Sequence, residues 1–577
     1  MQKTRLNAGR DELRQARRES RGLYWAVAVF SFFANLLMLT GPLYMLQVYD
    51  RVLGSRSVAT LIALSVLVIF LYGIMGILDY ARGRVMARIG ARFQTRLDRR
   101  VFDAVIRKSA LASDDHSSSG LRDLESVQRL LASPVLIAVF DIPWTPFFLI
   151  AIALFHPWLG ILAVAGGVVL VIVTILNQFF TRRPVLQANI ATARAAALSE
   201  QIRTEAEMVQ AMGMRSAAFD RWQVIRNDSL KGQISSADLS GTFSALTKTF
   251  RMFLQSAMLG LGAYLVLKGE LTPGAMIAGS ILMGRALAPI EMAIGQWPVV
   301  QAATKGWSNL AELLSEVAPE APRTQLPQPR ALLDVQQVTV VPPDETQAAL
   351  RMMTFTVQPG QAVGVIGTSG SGKSTLARAI TGVWRPAGGK IRLDGAALDQ
   401  YEPYILGQHI GYLPQRVQLF DGTISENIAR LSDHPDAAKV VAAAKKAAAH
   451  EMILKLPDGY DTRVTAAGGR LSGGQVQRIG LARAMYGEPV VLVLDEPNSN
   501  LDNEGSMALN SAIRAMKADG KSVLIMAHRP AAIQECDMLL MLDGGNKVAF
   551  GPKDKVLKDV TQNHSEIQKS TTPGGVK

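Results

Sequence analysis

Apolar positions form long runs in the first half of the chain and short β-branched runs in the second half. A helix needs about 20 mostly apolar residues to cross a hydrocarbon core of about 30 Å. Six stretches meet this requirement, and they lie near Tyr24–Val48, Val58–Asp79, Pro134–Phe155, Trp158–Phe180, Phe250–Leu267 and Pro273–Val299. The pattern predicts an all-α membrane domain of six helices over residues 24–307, in which the third span, with Asp141 and Pro143, is less apolar than the others.

Basic residues between the spans predict their orientation, because cytoplasmic loops carry an excess of Lys and Arg. These residues concentrate in the N-terminal segment 1–23 and in two long loops, 81–133 and 181–249, whereas the remaining loops are short. We therefore place these three segments, and the second half of the chain, in the cytoplasm. Apolar residues at helical spacing, such as Phe93, Leu97 and Val101, predict that both loops continue the membrane helices, with a short contact helix at each tip.

The N-terminal segment, residues 1–23, is too polar before its first apolar run to be a signal peptide. We predict a basic, partly helical segment that lies on the cytoplasmic face of the membrane. Solvated disorder is the alternative.

After the spans, a Pro-rich stretch breaks the helical period and predicts a linker over residues 308–330. Over residues 331–560, runs such as "AVGVIG", "VVLVLDE" and "SVLIMAH" alternate with helical stretches. This alternation is typical of an α/β domain with a mostly parallel sheet covered by helices. The polar tail, residues 561–577, is predicted to be disordered.

Charge and cysteine content exclude several classes of protein. The 577 residues carry a net charge of +13, from 61 Lys and Arg against 48 Asp and Glu, which favours nucleic acid or an anionic membrane surface as a partner. Since the early basic residues flank apolar spans and show no aromatic interleaving, we predict contact with membrane lipid and no binding of nucleic acid. The single cysteine, Cys536, excludes an intrachain disulfide and a cysteine-based zinc cluster.

The stretch "VGVIGTSGSGKST" follows a predicted strand and precedes a predicted helix, which is the setting that a P-loop requires. Its glycines let backbone N–H groups face phosphates. Lys373 is predicted to reach the β- and γ-phosphates of ATP, and Ser374 to offer its hydroxyl to Mg²⁺. The predicted nucleotide contacts are Gly367, Thr368, Ser369, Gly370, Ser371, Gly372, Lys373, Ser374 and Thr375.

A second motif, "VVLVLDEP", predicts a buried strand that ends in two acidic residues beside the P-loop. Asp495 is expected to hold Mg²⁺, and Glu496 to orient and polarise the attacking water. The alternative is that the paired acids only cap a helix.

The order of the remaining motifs resembles the nucleotide-binding domain of ABC transporters. After the P-loop come "YLPQ", "LSGGQ", "LDEP", "SNLD" and "LIMAHRP". The resemblance implies that Gln415 contacts Mg²⁺ and the attacking water, that His528 contacts the γ-phosphate, and that "LSGGQ" faces the ATP of the other subunit in a homodimer. The predicted catalytic residues are then Glu496, His528 and Gln415, the metal ligands Ser374, Gln415 and Asp495, and the further nucleotide contacts Ser472, Gly473, Gly474, Gln475 and Asp502.

The membrane half narrows the resemblance to one branch of that family. "YMLQVYDRVLGSRSVATL" and "DIPWTPFFLIAIALFHPWLG" look like the permease–ATPases of type I secretion systems for proteases, lipases and repeat-in-toxin proteins. That branch lacks an N-terminal peptidase-like domain, and we expect none here because the first span begins near Tyr24. The resemblance implies ATP-driven export of an unfolded polypeptide with a C-terminal signal across the bacterial inner membrane, through a periplasmic adaptor and an outer-membrane channel.

Two other functions stay open at this point. A lipid or small-molecule exporter has the same layout, and stimulation of its ATPase by lipid rather than by a secreted protein's C-terminus would favour it. The other alternative is a regulatory membrane protein that binds ATP but does not hydrolyse it. The presence of Glu496 and His528, the residues predicted to serve hydrolysis, argues against this alternative.

Three features depart from the ABC pattern. No aromatic residue lies between Ser308 and Thr354, where many ABC proteins stack one on adenine. Losing a base–aromatic stack costs about 1–3 kcal/mol, so we expect weaker base selectivity or a substitute contact from Val340–Pro342. Ala466 lies near the position of a common glutamate, and Val476 stands where arginine is common. Weaker coupling to the membrane half and simple sequence drift are equally good explanations.

Arg285 and Glu291 are ionisable residues of the sixth span, at or near membrane depth. Such residues usually face a cavity or a partner, so they predict a polar path for an extended peptide. The alternative is that both lie near the cytoplasmic interface and extend their charges to water.

Overall fold

A computed structural model describes residues 2–111, 119–320, 323–324, 326–343, 345–465, 471–498, 501, 503–528 and 530–558. The chain divides into two compact units. The first comprises residues 1–109 and 114–319, and the second begins at Glu320. The predicted disordered tail, residues 561–577, lies outside the described residues.

The first unit is helical, as the apolar runs predict. Its helices are α1 (Gln2–Arg18), α2 (Arg21–Leu37), α3 (Thr40–Gln47), α4 (Leu53–Ser55), α5 (Val58–Leu111), α6 (Gly120–Leu131), α7 (Pro134–Asp141), α8 (Thr145–Phe155), α9 (Pro157–Thr204), α10 (Ala206–Ala211), α11 (Arg215–Leu267), α12 (Pro273–Gly295) and α13 (Trp297–Glu316). A π-helical turn, Val48–Val52, joins α3 to α4, and a 3₁₀ turn, Ile142–Trp144, joins α7 to α8.

The six predicted spans are confirmed within the part of the chain that the structure describes. The helical stretches long and apolar enough to cross a membrane are Arg21–Ser55, Val58–Leu111, Pro134–Phe155, Pro157–Thr204, Arg215–Leu267 and Pro273–Met292. Three of them are far longer than a bilayer requires. α5, α9 and α11 contain 54, 48 and 53 residues, which corresponds to about 70–80 Å of helix.

Both segments that are predicted as cytoplasmic helical extensions, residues 81–133 and 181–249, continue the long helices α5, α9 and α11. α9 and α11 stay paired beyond the predicted spans, where the hydroxyls of Thr192 and Ser229 lie 2.8 Å apart. The predicted contact helix at the tip of the second loop is α10. The tip of the first loop falls on residues 112–118, outside the described residues.

The acidic residue of the third span is neutralised by a buried arginine. Arg82 of α5 is 7% exposed, and its Nη1 lies 2.9 Å from Asp141 Oδ1 at the end of α7. Asn35 of α2 donates a hydrogen bond of 2.6 Å to the same oxygen. Charges at membrane depth are kept where a partner balances them, so this contact explains how Asp141 fits into an otherwise apolar span.

The sixth span carries its charges on different faces. Glu291 of α12 forms an ion pair with Arg251 of α11, with Nε and Oε1 2.8 Å apart, whereas Arg285 is exposed. Arg285 and Glu291 are six residues apart, which turns their side chains about 120° from each other around the helix. The partner of Glu291 is thus Arg251 rather than a residue of its own helix, and the sequence alone gives no sign of this pair.

The N-terminal segment packs on protein rather than lying free. Leu13 of α1 is fully buried in an apolar cluster with residues of α5, α6 and α13. The backbone N–H of Gly9 donates to Ser315 Oγ at 3.0 Å, and Glu12 pairs with Arg100 Nε at 3.0 Å. Gln2–Arg18 is therefore a helix rather than disordered chain, and its Leu13 and Ala16 pack on other helices of the first unit.

The linker is shorter than the sequence analysis predicted. Residues 308–316 belong to α13, which ends at Glu316. Leu310, Leu313 and Leu314 recur at helical spacing and are buried, so tertiary packing extends the helix up to the first proline of the Pro-rich stretch.

The second unit holds two main sheets and a two-stranded ribbon. Its strands are β1 (Leu333–Val340), β2 (Leu350–Val357), β3 (Ala362–Gly367), β4 (Gly388–Leu393), β5 (Ala396–Ala397), β6 (Ile410–Leu413), β7 (Gly422–Thr423), β8 (Arg463–Val464), β9 (Val491–Asp495), β10 (Ser522–Ala527), β11 (Met538–Asp543) and β12 (Asn546–Pro552). β7 pairs with β8. The antiparallel sheet has the order β2-β1-β4-β5, and the larger sheet has the order β12-β11-β3-β10-β9-β6. In the larger sheet β12 runs antiparallel to β11 and the other neighbours are parallel, which confirms the predicted α/β fold.

Helices cover both faces of the larger sheet. They are α14 (Lys373–Ile380), α15 (Pro403–His409), α16 (Ile424–Ile428), α17 (Ala437–Lys446), α18 (His450–Leu454), α19 (Gly473–Met485) and α20 (Asn503–Ala518). Alternate residues of β9 belong to two separate hydrophobic cores, one on each face of the sheet. Leu492 and Leu494 lie in one core, and Val491 and Val493 lie in the other. Burial on both faces explains why the strand reads as an unbroken apolar run.

Candidate nucleotide-binding and hydrolysis site

The P-loop connects β3 to α14 at the carboxyl edge of the larger sheet. Thr368, Ser369 and Gly370 form its exposed tip, and Ser371 is buried beneath them. Gly372 has a φ of 99°, and a Cβ there would lie 2.7 Å from Leu350 Cδ2. Both the left-handed backbone and the close approach of a neighbouring strand therefore require glycine.

Lys373 folds back over this loop. Its side chain is buried, and Nζ donates to the carbonyl oxygens of Gly367 at 2.9 Å and Thr368 at 2.8 Å. Burial lowers the pKa of Lys373, and the nearby carboxylates of Glu496 and Asp495 oppose that shift. The ammonium group is thus held beside the loop whose backbone can face phosphates. Thr375 lies in the first turn of α14, two residues after Lys373, and is half-buried.

Asp495 and Ser374 bring two oxygens together. Asp495 ends β9 and is 2% exposed, and Ser374 Oγ donates to its Oδ1 at 3.4 Å. Burial raises the pKa of Asp495, and Glu496 adds to the rise. Neighbouring ligands of an octahedral Mg²⁺ lie about 3 Å apart, so a carboxylate and a hydroxyl at this separation fit that ion.

Glu496 is held from two sides. Gln415 Nε2 donates to its Oε2 at 2.9 Å, and His528 Nε2 lies 2.7 Å from its Oε1. Gln415 follows β6 and His528 follows β10, the strands that flank β9. Because parallel strands end at the same edge of a sheet, three distant motifs meet at one carboxylate. The structure thus brings Gln415 to Glu496, and its contact with Mg²⁺ stays a prediction.

The start of "LSGGQ" is a helix N-terminus with its own cap. Ser472 Oγ accepts from the backbone N–H of Gln475 at 3.3 Å, and the Gln475 side chain accepts from the N–H of Ser472 at 2.8 Å. This reciprocal capping box stabilises α19. Both side chains are predicted to contact nucleotide, and the structure shows that they also cap the helix. Ser-x-x-Gln is a known sequence signal of such a capping box. Gly473 and Gly474 form the first turn of α19 and carry no side chain that would cover it.

Several residues singled out in the sequence have other placements. Val340 is fully buried in β1, so of the predicted substitute contacts for adenine, Val340–Pro342, only Val341 and Pro342 are partly exposed. Val476 is half-buried and packs against an apolar core, which gives it a structural role. Asp502 and Ala466 lie outside the described residues.

Comparison with known proteins agrees in both halves of the chain. The model of the ABC transporter family matches residues 350–499, and that of the ABC transporter transmembrane region matches residues 24–288. The type I secretion system ATP-binding protein PrsD of Rhizobium meliloti (strain 1021) is 43% identical over 546 residues, which cover 94% of each chain. The chain belongs to the type I secretion ABC transporters.

More distant relatives agree with this membership. The leukotoxin translocation ATP-binding protein LktB of Mannheimia haemolytica is 26% identical over 93% of this transporter and 77% of its own length. A solved structure, that of a bacterial Atm1-family ABC exporter with ATP bound, superposes with a TM-score of 0.79 and covers 96% of the transporter and 99% of that chain. At 23% identity this likeness shows the fold alone.

Membership fixes the general properties of the molecule. The transporter is a multi-pass protein of the inner membrane, and its ATP-binding domain lies in the cytoplasm. It is an ATPase coupled to protein export. The predictions of family, fold, activity and location are thereby confirmed.

Proposed function

We propose that the transporter exports an unfolded polypeptide with a C-terminal signal, as a homodimer that works with a periplasmic adaptor and an outer-membrane channel. The position of Glu496 between Gln415 and His528 carries the ATP-hydrolysing part of this proposal. The likeness to PrsD over 94% of both chains supports the secretion part. Hydrolysis then takes place at two composite sites, each built from both subunits.

ATP binding begins at the P-loop. Lys373 exchanges the carbonyl oxygens of Gly367 and Thr368 for the β- and γ-phosphate oxygens, a short movement for a side chain already above the loop. Gly370 and Gly372 have positive φ values, which turn backbone N–H groups towards the anion. The negative charge of the phosphates also offsets part of the free-energy cost of burying the lysine ammonium group.

Mg²⁺ is held by Ser374 and Asp495, whose oxygens already lie 3.4 Å apart. When bound, this ion neutralises charge on the β- and γ-phosphates. A cation beside Asp495 favours its ionised form and so opposes the effect of burial on its pKa. Gln415 donates to Glu496 through Nε2, and its amide oxygen, the atom that would bind Mg²⁺, is not used in that contact.

Glu496 orients the attacking water and accepts its proton. Its carboxylate is fixed at both oxygens, by Gln415 and by His528, so little freedom is lost when the water binds. Fixed geometry is the main contribution that a protein makes to phosphoryl transfer. His528 lies 37% exposed at its side chain and is open to a γ-phosphate as well.

The N-terminus of α19 completes the site of the other subunit. Ser472 and Gln475 cap the helix, and the N–H groups of Gly473 and Gly474 remain at a helix end that favours anions. A γ-phosphate of the partner's ATP is the anion that this end receives. One such end and one P-loop in each chain make two equivalent sites in a homodimer.

Export is tested by purifying the full transporter with a candidate secreted protein from the same cell. Retention of the full-length protein, and loss of retention when its C-terminal tail is deleted, are the expected results. ATPase activity in nanodiscs should rise on adding the intact substrate. Stimulation by lipid alone, with no effect of the secreted protein, would instead identify a lipid exporter.

A further inference from the structure

The signature helix α19 carries a buried glutamine that no predicted role uses. Gln477 is 2% exposed, and its Nε2 donates a hydrogen bond of 2.8 Å to the backbone carbonyl of Pro497. Pro497 is the residue that follows Glu496. A side chain of the signature helix is therefore bonded directly to the turn that carries the proposed general base.

This turn is strained. Glu496 has a φ of 51°, a left-handed conformation that residues other than glycine rarely adopt. The following proline restricts Glu496 further. Conformations of this kind persist where the surroundings determine them. Here the N–H of Glu496 donates to Met526 O at 3.0 Å, and Gln477 holds the carbonyl of Pro497.

α19 also contacts the segment that follows Gln415, the residue whose side chain is hydrogen-bonded to Glu496. Arg483 Nη2 donates to Gln418 O at 2.8 Å. A Cβ at Gly480 would lie 2.5 Å from Val417 Cγ1, so the helix backbone packs directly on the residues that follow Gln415. Gln477, Gly480 and Arg483 recur at three-residue spacing, so each lies about one turn from the next along α19. Together they contact both segments whose side chains meet at 2.9 Å in the Gln415–Glu496 hydrogen bond.

We propose that Gln477 is a positioning residue for ATP hydrolysis, which links the signature helix of one subunit to the general base of the same subunit. It lies five residues after the capped end at Ser472, about 7 Å along the helix axis. The inference rests on the proposed function, in which that end receives the phosphate of the partner's ATP. A phosphate at one composite site then sets the position of Glu496 at the other, so the two sites hydrolyse cooperatively.

The test compares Gln477→Met with wild type in the full-length transporter in nanodiscs. Methionine keeps the length of the side chain and removes the N–H donor. We expect kcat to fall about tenfold or more while KM for ATP changes by less than about twofold. The Hill coefficient for ATP should fall towards that of independent sites. Gln336→Met, at an exposed position of β1, is the matched control and should match wild type in all three quantities.

A second variant separates positioning from folding. Gln477→Leu is close to glutamine in size, lacks the donor and buries no charge, so it should show the same loss of kcat and of cooperativity. A wild-type kcat and Hill coefficient in either variant would overturn the inference. So would a joint change of kcat and KM at an unchanged Hill coefficient together with a lowered midpoint of thermal unfolding, because that pattern marks a structural residue. If wild type and Glu496→Gln release phosphate equally fast, the proposed function itself fails, whatever the Gln477 variants do.

Discussion

Oε1 of Glu496 lies 2.7 Å from Nε2 of His528, and this contact joins the ends of two adjacent parallel strands. The other carboxylate oxygen receives the Gln415 amide from the strand on the opposite side. Neither oxygen of the carboxylate is left without a protein partner. The two contacts give the carboxylate a fixed orientation.

Replacing Glu496 by glutamine should stop hydrolysis without stopping ATP binding. The amide keeps the size of the side chain but cannot accept a proton, and removal of a general base costs about 10²–10⁴-fold in rate. Phosphate release and nucleotide affinity, measured on the same preparation, check this. His528→Ala should lower the rate less, since Gln415 still holds the carboxylate. Unchanged phosphate release in Glu496→Gln would exclude this residue as the base.

Gly372→Ala should weaken ATP binding and destabilise the second unit. A left-handed backbone costs an L-residue about 1–2 kcal/mol, and the new methyl group would also lie 2.7 Å from Leu350 Cδ2. Thermal unfolding and nucleotide titration report the two effects. Gly407→Ala is the control: it lies in α15 with nothing within 4 Å of the added Cβ, so it should stabilise the helix by about 1 kcal/mol. Equal behaviour of the two variants would contradict the steric account.

The single thiol should be unreactive in the native protein. Burial raises the pKa of Cys536 to about 12, and Asp537 adds to that rise. Since the thiolate is the reactive form, a maleimide should label the folded transporter very slowly at pH 8 and the denatured chain rapidly. Fast native labelling would show that the site opens.

The same pKa sets a pH dependence of stability. The folded thiol ionises at a higher pH than the unfolded one, whose ordinary pKa is 9.0. Its contribution to the free energy of unfolding is therefore intact below pH 9 and declines as the pH rises towards 12. Cys536→Ala should show a shallower alkaline decline than wild type. If the free energy of unfolding falls with pH in the same way in both proteins, Cys536 does not contribute to the alkaline decline.

Arg251 and Glu291 should behave as a coupled pair. Their charged atoms lie 2.8 Å apart on neighbouring spans, so Arg251→Gln and Glu291→Gln should each lower the thermal midpoint, and the double variant by less than the sum. Couplings of contacting residues are about 0.5–3 kcal/mol. Arg285→Gln combined with Glu291→Gln is the control and should be additive, because Arg285 is exposed on another face. Additivity of the Arg251 and Glu291 variants would show that the ion pair contributes no net stability.

Patterns that depend on the local chain predicted most of the architecture. Six long apolar runs, the P-loop between a strand and a helix, and the buried strand before Asp495 carry strong local signals, and the structure has each element in its predicted place. The choice of Gln415 and His528 as catalytic residues beside Glu496 depends on a family resemblance, and their contacts with the Glu496 carboxylate are visible only in the structure. These three residues are far apart in the sequence, and only the order of the strands in the sheet brings them together.

The errors of the sequence analysis concern contacts between distant segments. Arg251 was missed as the partner of Glu291 because the two lie on different helices. The end of α13 was assigned to the linker because its leucines are buried by α1 and α6, which a local window does not include. Gln475 is the exception: its capping role has a local signal, and the ABC resemblance obscured it.

The packing of α1 on α13 sets an order of events during synthesis. The hydrogen bond from Gly9 to Ser315 spans 306 residues, so α1 leaves the ribosome long before its binding surface is complete. At about 5–20 residues per second, the delay before α13 is made is roughly 15–60 s. During that time Leu13 lacks the α13 part of its apolar cluster, and α1 stays available to chaperones or to the lipid surface that its basic residues favour. The first helix to be made is thus among the last parts of the first unit to reach its final place.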